Sequence, residues 1–191
     1  MSRWEPGARE RLVLAAVDLF TEQGYDATTV AQIAERAGVT KSTFFRHFPD
    51  KRELLSAGQE ALSQLLTEGV TEAPSDATPL EAVAAGLARA ATVMGPMNRE
   101  LAPRLKAAIA ASTELQQRDA LKTVGLTAAM VDALVTRGIP DPVAALAAEL
   151  GALAFKRGYQ AWSESARAED EFAPYALAAL NELRAASTSL G

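Results

Sequence analysis

Between positions 28 and 55 the chain reads TTVAQIAERAGVTKSTFFRHFPDKRELL, and the signals in this stretch specify a helix, a tight turn and a second short helix. Thr29 followed by Gln32 has the form of a capping box, in which the hydroxyl accepts from an orphan backbone N–H and the amide reaches back. Val30, Ile33, Ala34 and Ala37 then share one face at helical spacing, and Gly38 supplies the left-handed residue that ends a helix without steric cost. Val39 is an apolar plug for the turn. Thr40 is a second N-cap, opening about two turns of helix that close at Phe48, before Pro49. Two helices joined this tightly form a helix-turn-helix. In that motif the second helix enters the DNA major groove, and small hydroxyl and cationic side chains near its start meet base edges and phosphates. Lys41, Ser42 and Thr43 are of that type.

The remaining sequence is also helical in its grammar. Asp50 with Glu53 opens a helix expected to run to about Glu72. Thr78-Pro79-Leu80-Glu81 gives a cap, a proline at the first position and an acid at the third, for a helix to about Met94. Gly95-Pro96 breaks it. A further helix is expected from about Asn98 to Ala111, with Pro103 forcing a late start or a kink. Thr113 with Gln116 marks the next, closing at Arg137-Gly138; Asp141-Pro142 opens a long one to about Ala168, and Asp170 caps a last one to about Ser187. No segment alternates with period two between turn signals, so the expected fold is all-α with about nine helices.

Composition agrees with a DNA-binding reading once the charge is located. The net charge is −5, yet residues 1–52 carry eight Lys/Arg against seven Asp/Glu while the rest carries eleven against seventeen. Arg36, Lys41, Arg46, Lys51 and Arg52 cluster in or beside the helix-turn-helix, so a local positive face on an acidic protein is expected. The absence of Cys excludes disulfides and thiolate chemistry. No apolar stretch reaches the ~18 residues of a membrane span, and a cytoplasmic protein is expected. With one imidazole, His47, placed at the end of the second short helix, no enzyme, metal or cofactor is expected.

From about Arg9 to Leu55 the chain resembles the TetR family of bacterial transcriptional repressors. The resemblance is carried by Leu12-Val13-Leu14-Ala15-Ala16-Val17-Asp18-Leu19-Phe20 ending at Gly24, by Tyr25-Asp26-Ala27-Thr28-Thr29-Val30, by Ile33-Ala34 and Ala37-Gly38-Val39, and by Thr43-Phe44-Phe45-Arg46-His47-Phe48-Pro49-Asp50-Lys51. It implies a three-helix DNA-binding domain over residues 1–48 and a helical effector-binding and dimerisation domain over 49–191. It further implies a homodimer on a palindromic operator, released by a small, mostly apolar effector. Thr40, Lys41, Ser42 and Thr43 would approach bases. Phe45, where the family often has Tyr, would pack on a thymine methyl, and Thr28, Thr29, His47 and Lys51 would fix the backbone. From the residues alone, His47 is equally a C-terminal helix cap. The alternative class is an effector-independent DNA-binding activator or architectural protein.

The long helix after Asp141 carries two apolar stripes. One is Val143, Leu146, Leu150, Leu153 and Ala154, expected to pack on its own domain. The other contains Ala144, Ala148, Gly151, Phe155, Tyr159 and Trp162, whose small residues would admit a partner backbone. Phe172, Ala176, Ala179, Leu180 and Leu183 repeat the need on the last helix. The pattern alone is also met by a helix buried in a monomer. The resemblance implies a four-helix dimer interface, with Ala144, Ala148, Gly151, Phe155, Trp162, Phe172, Ala176, Leu180 and Leu183 in it. Candidate effector contacts are Leu62, Leu65, Leu66, Met94, Met97, Met130 and Tyr159, with Arg104 for an anionic group. Whether Tyr159 and Trp162 serve pocket or interface is left open by the sequence.

Overall fold

The computed structural model describes residues 7–54, 58–167 and 170–189. Among these residues nine α-helices follow one another and no strand occurs: α1 Ala8–Gln23, α2 Val30–Arg36, α3 Lys41–His47, α4 Gln59–Glu72, α5 Pro79–Ala91, α6 Pro96–Ala110, α7 Thr113–Thr136, α8 Asp141–Glu164 and α9 Phe172–Thr188, with a 3-10 turn at Lys51–Leu54. The fold class is all-α, as the sequence predicts.

Several helix ends form as their local chemistry requires. Thr29 and Gln32 make both capping-box bonds, Gln32 N–H to Thr29 Oγ1 at 3.3 Å and Thr29 N–H to Gln32 Oε1 at 2.9 Å. Thr78 and Glu81 repeat the arrangement at 3.3 and 2.8 Å. At the end of α2, Val39 N–H reaches Ala34 O at 2.9 Å and Gly38 N–H reaches Glu35 O at 3.0 Å. This pair of bonds is a Schellman motif, and it needs the φ of +66° that Gly38 adopts.

Other ends differ from expectation. The helix expected from Asp50 does not run through: Asp50 Oδ1 accepts the N–H groups of Arg52 and Glu53, but they open only the 3-10 turn. α4 starts afresh at Gln59 after Gly58, whose φ is +84°. Residues 55–57 of that expected helix lie outside the described residues, as does Ala168, the expected end of the long helix after Asp141, whose α-helix closes at Glu164. α7 is capped by Ser112, whose Oγ accepts from Leu115 N–H at 3.4 Å, rather than by Thr113. Asp170 does not cap α9. Its carbonyl accepts from the Trp162 indole and its carboxylate from the hydroxyls of Ser165 and Tyr175, which lowers the carboxyl below its usual range, the Tyr175 bond first among the causes.

The chain packs into two compact units: the described residues of Met1–Ala57 with Leu101–Ala120, and Gly58–Glu100 with Leu121–Gly191. The first therefore extends beyond the expected 1–48 stretch, because Ala108 and Leu115 are buried in one core with Leu12, Ala16, Ile33 and Phe44. The second is built on α4, α5, α8 and α9 with the later part of α7. Leu66, Val70, Val83, Leu87, Met130 and Leu134 lie at its centre.

Within that second unit the stripe of α8 expected to admit a partner is the covered one, while of the stripe expected to pack internally only Ala154 is buried and Leu150 packs at the margin of the core. Ala144, Ala148, Gly151 and Trp162, with Phe172, Ala176, Leu180 and Leu183 of α9, are buried inside the single chain, and Phe155 packs half-buried beside them. Close approach by the chain's own helices explains the small residues. A Cβ at Gly151 would lie 2.6 Å from Val83 Cγ1, and one at Gly158 2.6 Å from Ala176 Cα. Val143, Leu146 and Leu153, expected to be internal, are instead 46%, 62% and 40% exposed.

Candidate nucleic-acid interface

The geometry of the reading unit follows from one buried ring. Phe44 is fully buried at the centre of the α1–α2–α3 core, 5.9 Å between ring centres from Phe48 and 5.4 Å from Phe45. A helix of seven residues has too few internal bonds to be stable alone, so α3 is held by this packing and by its cap. Thr40 Oγ1 accepts from Thr43 N–H at 3.1 Å. Fixing Phe44 inward turns Lys41, Ser42, Phe45 and Arg46 outward, and all four are exposed.

The cations around α3 divide into two groups. Arg36 is tied in a two-bond pair to Glu22 at 2.9 and 2.8 Å, and the hydrogen bond from Arg36 lowers the Glu22 carboxyl. Arg52 pairs with Asp50 at 2.5 Å. Lys51 donates to the carbonyls of Tyr25 at 2.8 Å and Thr28 at 3.0 Å, its ammonium 4.1 Å from the centre of the Tyr25 ring. Lys41 and Arg46, by contrast, pair with no side chain among the described residues. Two unneutralised cations thus flank Phe45, which is 56% exposed. An exposed aromatic between free cations suits a surface that meets both phosphates and base edges.

The other expected DNA contacts are placed less simply. Thr28 is buried, its hydroxyl donating to Gly24 O at 2.7 Å and accepting from Gln23 Nε2 at 3.2 Å, so this side chain orders the turn before α2. Thr29 is exposed but its hydroxyl is engaged with Gln32. Thr43 is half-buried, its Oγ1 3.1 Å from that of Thr40. His47 is half-buried and its Nε2 is shielded without a hydrogen-bond partner. Lys51 has two of its three ammonium protons committed to internal carbonyls. Arg46 belongs to the expected positive face but is not among the expected individual DNA contacts; its exposed position beside Phe45 brings it forward.

The expected effector residues divide into separate groups. Leu62, Leu66 and Met130 are core members of the second unit, and Leu65 packs at its margin. Met94 and Tyr159 lie against the separate cluster of Trp162, Phe172 and Ala176, and Met97 is half-buried. Tyr159 donates to Asn98 O at 2.7 Å, and burial pushes its hydroxyl pKa up to about 12. Arg104 pairs with Asp18 at 2.7 Å in the first unit.

A test of the cationic pair follows from counterion release. Alanine at both Lys41 and Arg46 is expected to flatten the log affinity against log salt slope by about two per subunit, whereas Arg36→Ala should leave the slope unchanged. Titrating duplex DNA at several salt concentrations measures this, and an unaltered slope in the double variant would remove both residues from the interface.

Comparison with known proteins agrees with this geometry. Residues 12–57 match the model for bacterial regulatory proteins of the tetR family. The HTH-type transcriptional regulator TcmR of Streptomyces glaucescens is 39% identical over 75 residues, covering 39% of this chain and 33% of TcmR; the chain thus aligns with a third of that relative's length. A TetR-family transcriptional regulator from Syntrophomonas wolfei superposes over 96% of this chain and 95% of its own, with a TM-score of 0.60 at 18% identity. Thermus thermophilus FadR, a TetR-family transcriptional repressor solved in complex with lauroyl-CoA, does so over 92% of each chain, with a TM-score of 0.52 at 22% identity. At these identities the structural likeness is one of fold.

Proposed function

We propose that this chain, whose residues 12–57 match the model for bacterial regulatory proteins of the tetR family, is a homodimeric, ligand-responsive transcriptional repressor of that family acting in the cytoplasm. The observation that carries the DNA-binding part is the exposed Phe45 between the unpaired Lys41 and Arg46 on a helix locked from behind by Phe44. Each subunit places α3 in a major groove, with the two grooves about 34–36 Å apart on a palindromic operator. Lys41 and Arg46 meet phosphates or guanine edges, Ser42 and Thr43 lie toward bases, and Phe45 packs on a base methyl.

The dimer is supported by the uncovered stripe of α8. Val143, Leu146 and Leu153 recur at a spacing that makes one continuous apolar line, with Leu150 half-buried between them, and such a line in water favours a partner surface. This stripe replaces the expected Ala144–Gly151 face as the contact between copies. For the effector, support comes from the apolar side chains of the second unit and from FadR, which was solved with an acyl-CoA. The full burial of Leu66 and Met130 in the core of the second unit favours a second reading, an effector-independent activator or architectural protein.

The experiment selects duplexes from a random pool with the full chain, then titrates the winner with and without lauroyl-CoA and a panel of smaller apolar compounds. A palindromic consensus and a compound that weakens binding are expected. By linkage the duplex must weaken compound binding by the same factor. A consensus without any responsive compound would favour the second reading, and failure to select any sequence would sink both.

A further inference from the structure

The turn between α1 and α2 is held by an ammonium from further along the chain. Lys51 opens the 3-10 turn Lys51–Leu54, which is anchored at its start by Asp50 and at its end by the buried Leu54. Its Nζ donates to the carbonyl oxygens of Tyr25 at 2.8 Å and Thr28 at 3.0 Å, 26 and 23 residues earlier. A further side of the ammonium faces the Tyr25 ring, whose centre is 4.1 Å away, within the range of a cation–π contact. All of these residues belong to the first compact unit.

The two carbonyls need this donor for different reasons. Tyr25 O also accepts from Thr28 N–H at 3.2 Å, so there Lys51 tightens a turn that is already closed. Thr28 O has no other donor among the described residues, and Thr28 is buried; a buried acceptor left without a partner is destabilising. Gln23 bonds Ala27 O and Gln32 Oε1 at 3.3 and 3.2 Å, but not this oxygen. The peptide that carries Thr28 O also carries Thr29 N–H, which donates to Gln32 Oε1 at 2.9 Å in the capping box of α2. Fixing that peptide therefore fixes where α2 begins and how its first turn is aimed. α2 shares the core of Ile33, Ala34 and Phe44 with α3, the helix that turns Lys41, Phe45 and Arg46 outward.

We propose that Lys51 is a positioning residue of the DNA-binding surface, which acts by donating to Tyr25 O and Thr28 O and so setting the start of α2, and which makes no phosphate contact of its own. The proposal rests on the DNA-binding reading above. To meet a phosphate, the ammonium would have to leave two carbonyls and an aromatic face, and Thr28 O would then be buried and unpaired. Lys41 and Arg46 face no such penalty. The role thus requires N–H donors in a fixed place, and a positive charge alone does not fulfil it.

The chain has no cysteine, so Lys51→Cys provides a unique thiol at which charge and donors can be separated. Alkylating the unfolded protein with 2-bromoethylamine restores an ammonium with its full set of N–H groups, whereas (2-bromoethyl)trimethylammonium restores the same charge with none. After refolding, each form is titrated at several salt concentrations with a duplex that the full chain has selected. Unmodified Lys51→Cys is expected to bind about tenfold or more weakly while keeping the parental slope of log affinity against log salt, since no counterion release is lost. The aminoethyl form should return to within about threefold of a parent refolded in the same way, and the trimethyl form should stay as weak as the unmodified variant. A slope lower by about one per subunit in Lys51→Cys, regained in the trimethyl form, would make Lys51 a phosphate contact and overturn the proposal. Undiminished affinity in Lys51→Cys would overturn it equally. If that variant does not fold, as judged by helical circular dichroism, Lys51→Gln decides by its slope, parental for the positioning role and lower by about one for a phosphate contact. If the parent never selects a duplex, the DNA-binding reading fails and the positioning role falls with it.

Discussion

Leu146→Arg is expected to leave each chain folded, turn the proposed dimer into a monomer, and weaken operator binding by about 10²-fold or more, since two linked half-sites gain that much over one. The side chain is 62% exposed in the single chain, so an arginine there has water to extend into and costs the monomer little. Between two copies it would be buried without a partner charge. Sedimentation and a mobility shift on one sample measure both consequences. Ala148→Arg is the informative contrast, because Ala148 is fully buried within its own chain, and that change should collapse the helical core instead of dissociating a folded subunit. A folded Leu146→Arg dimer with full operator affinity would move the interface elsewhere.

Phe44→Ala should destabilise the reading unit by about 3–5 kcal/mol, the usual range for emptying a fully buried aromatic site. The loss is large against the ~5–15 kcal/mol that holds a whole domain together. Its consequence is functional because the ring is what turns Lys41, Phe45 and Arg46 outward. Denaturation followed by hydrogen exchange should show α1 to α3 losing protection while Leu66, Val83 and Leu134 stay in an ordered core. DNA binding should vanish with the first transition. A loss below about 1 kcal/mol would mean that α3 is held by something other than this ring.

The sequence by itself determined the features that depend on neighbours along the chain. The box of Thr29 with Gln32, the cap of Thr40, the Schellman turn at Gly38 and the box of Thr78 with Glu81 each close within a few residues. Their donors and acceptors can therefore be matched without knowing the fold, and with them came the helix-turn-helix and its outward-facing start. Only the tertiary structure decided which of two apolar stripes on α8 is covered, because Val83 and Met130, which seat against Gly151, are more than twenty residues away or further. The same holds for Lys51. Its charge suited a phosphate, but carbonyls 23 and 26 residues earlier hold its ammonium. Arg104 and Glu114 are the most distant cases, claimed by Asp18 and Tyr25 across 86 and 89 residues. Periodicity shows that a face is apolar or a side chain charged; what meets it is set by long-range packing, in which every helix competes for the same buried surface.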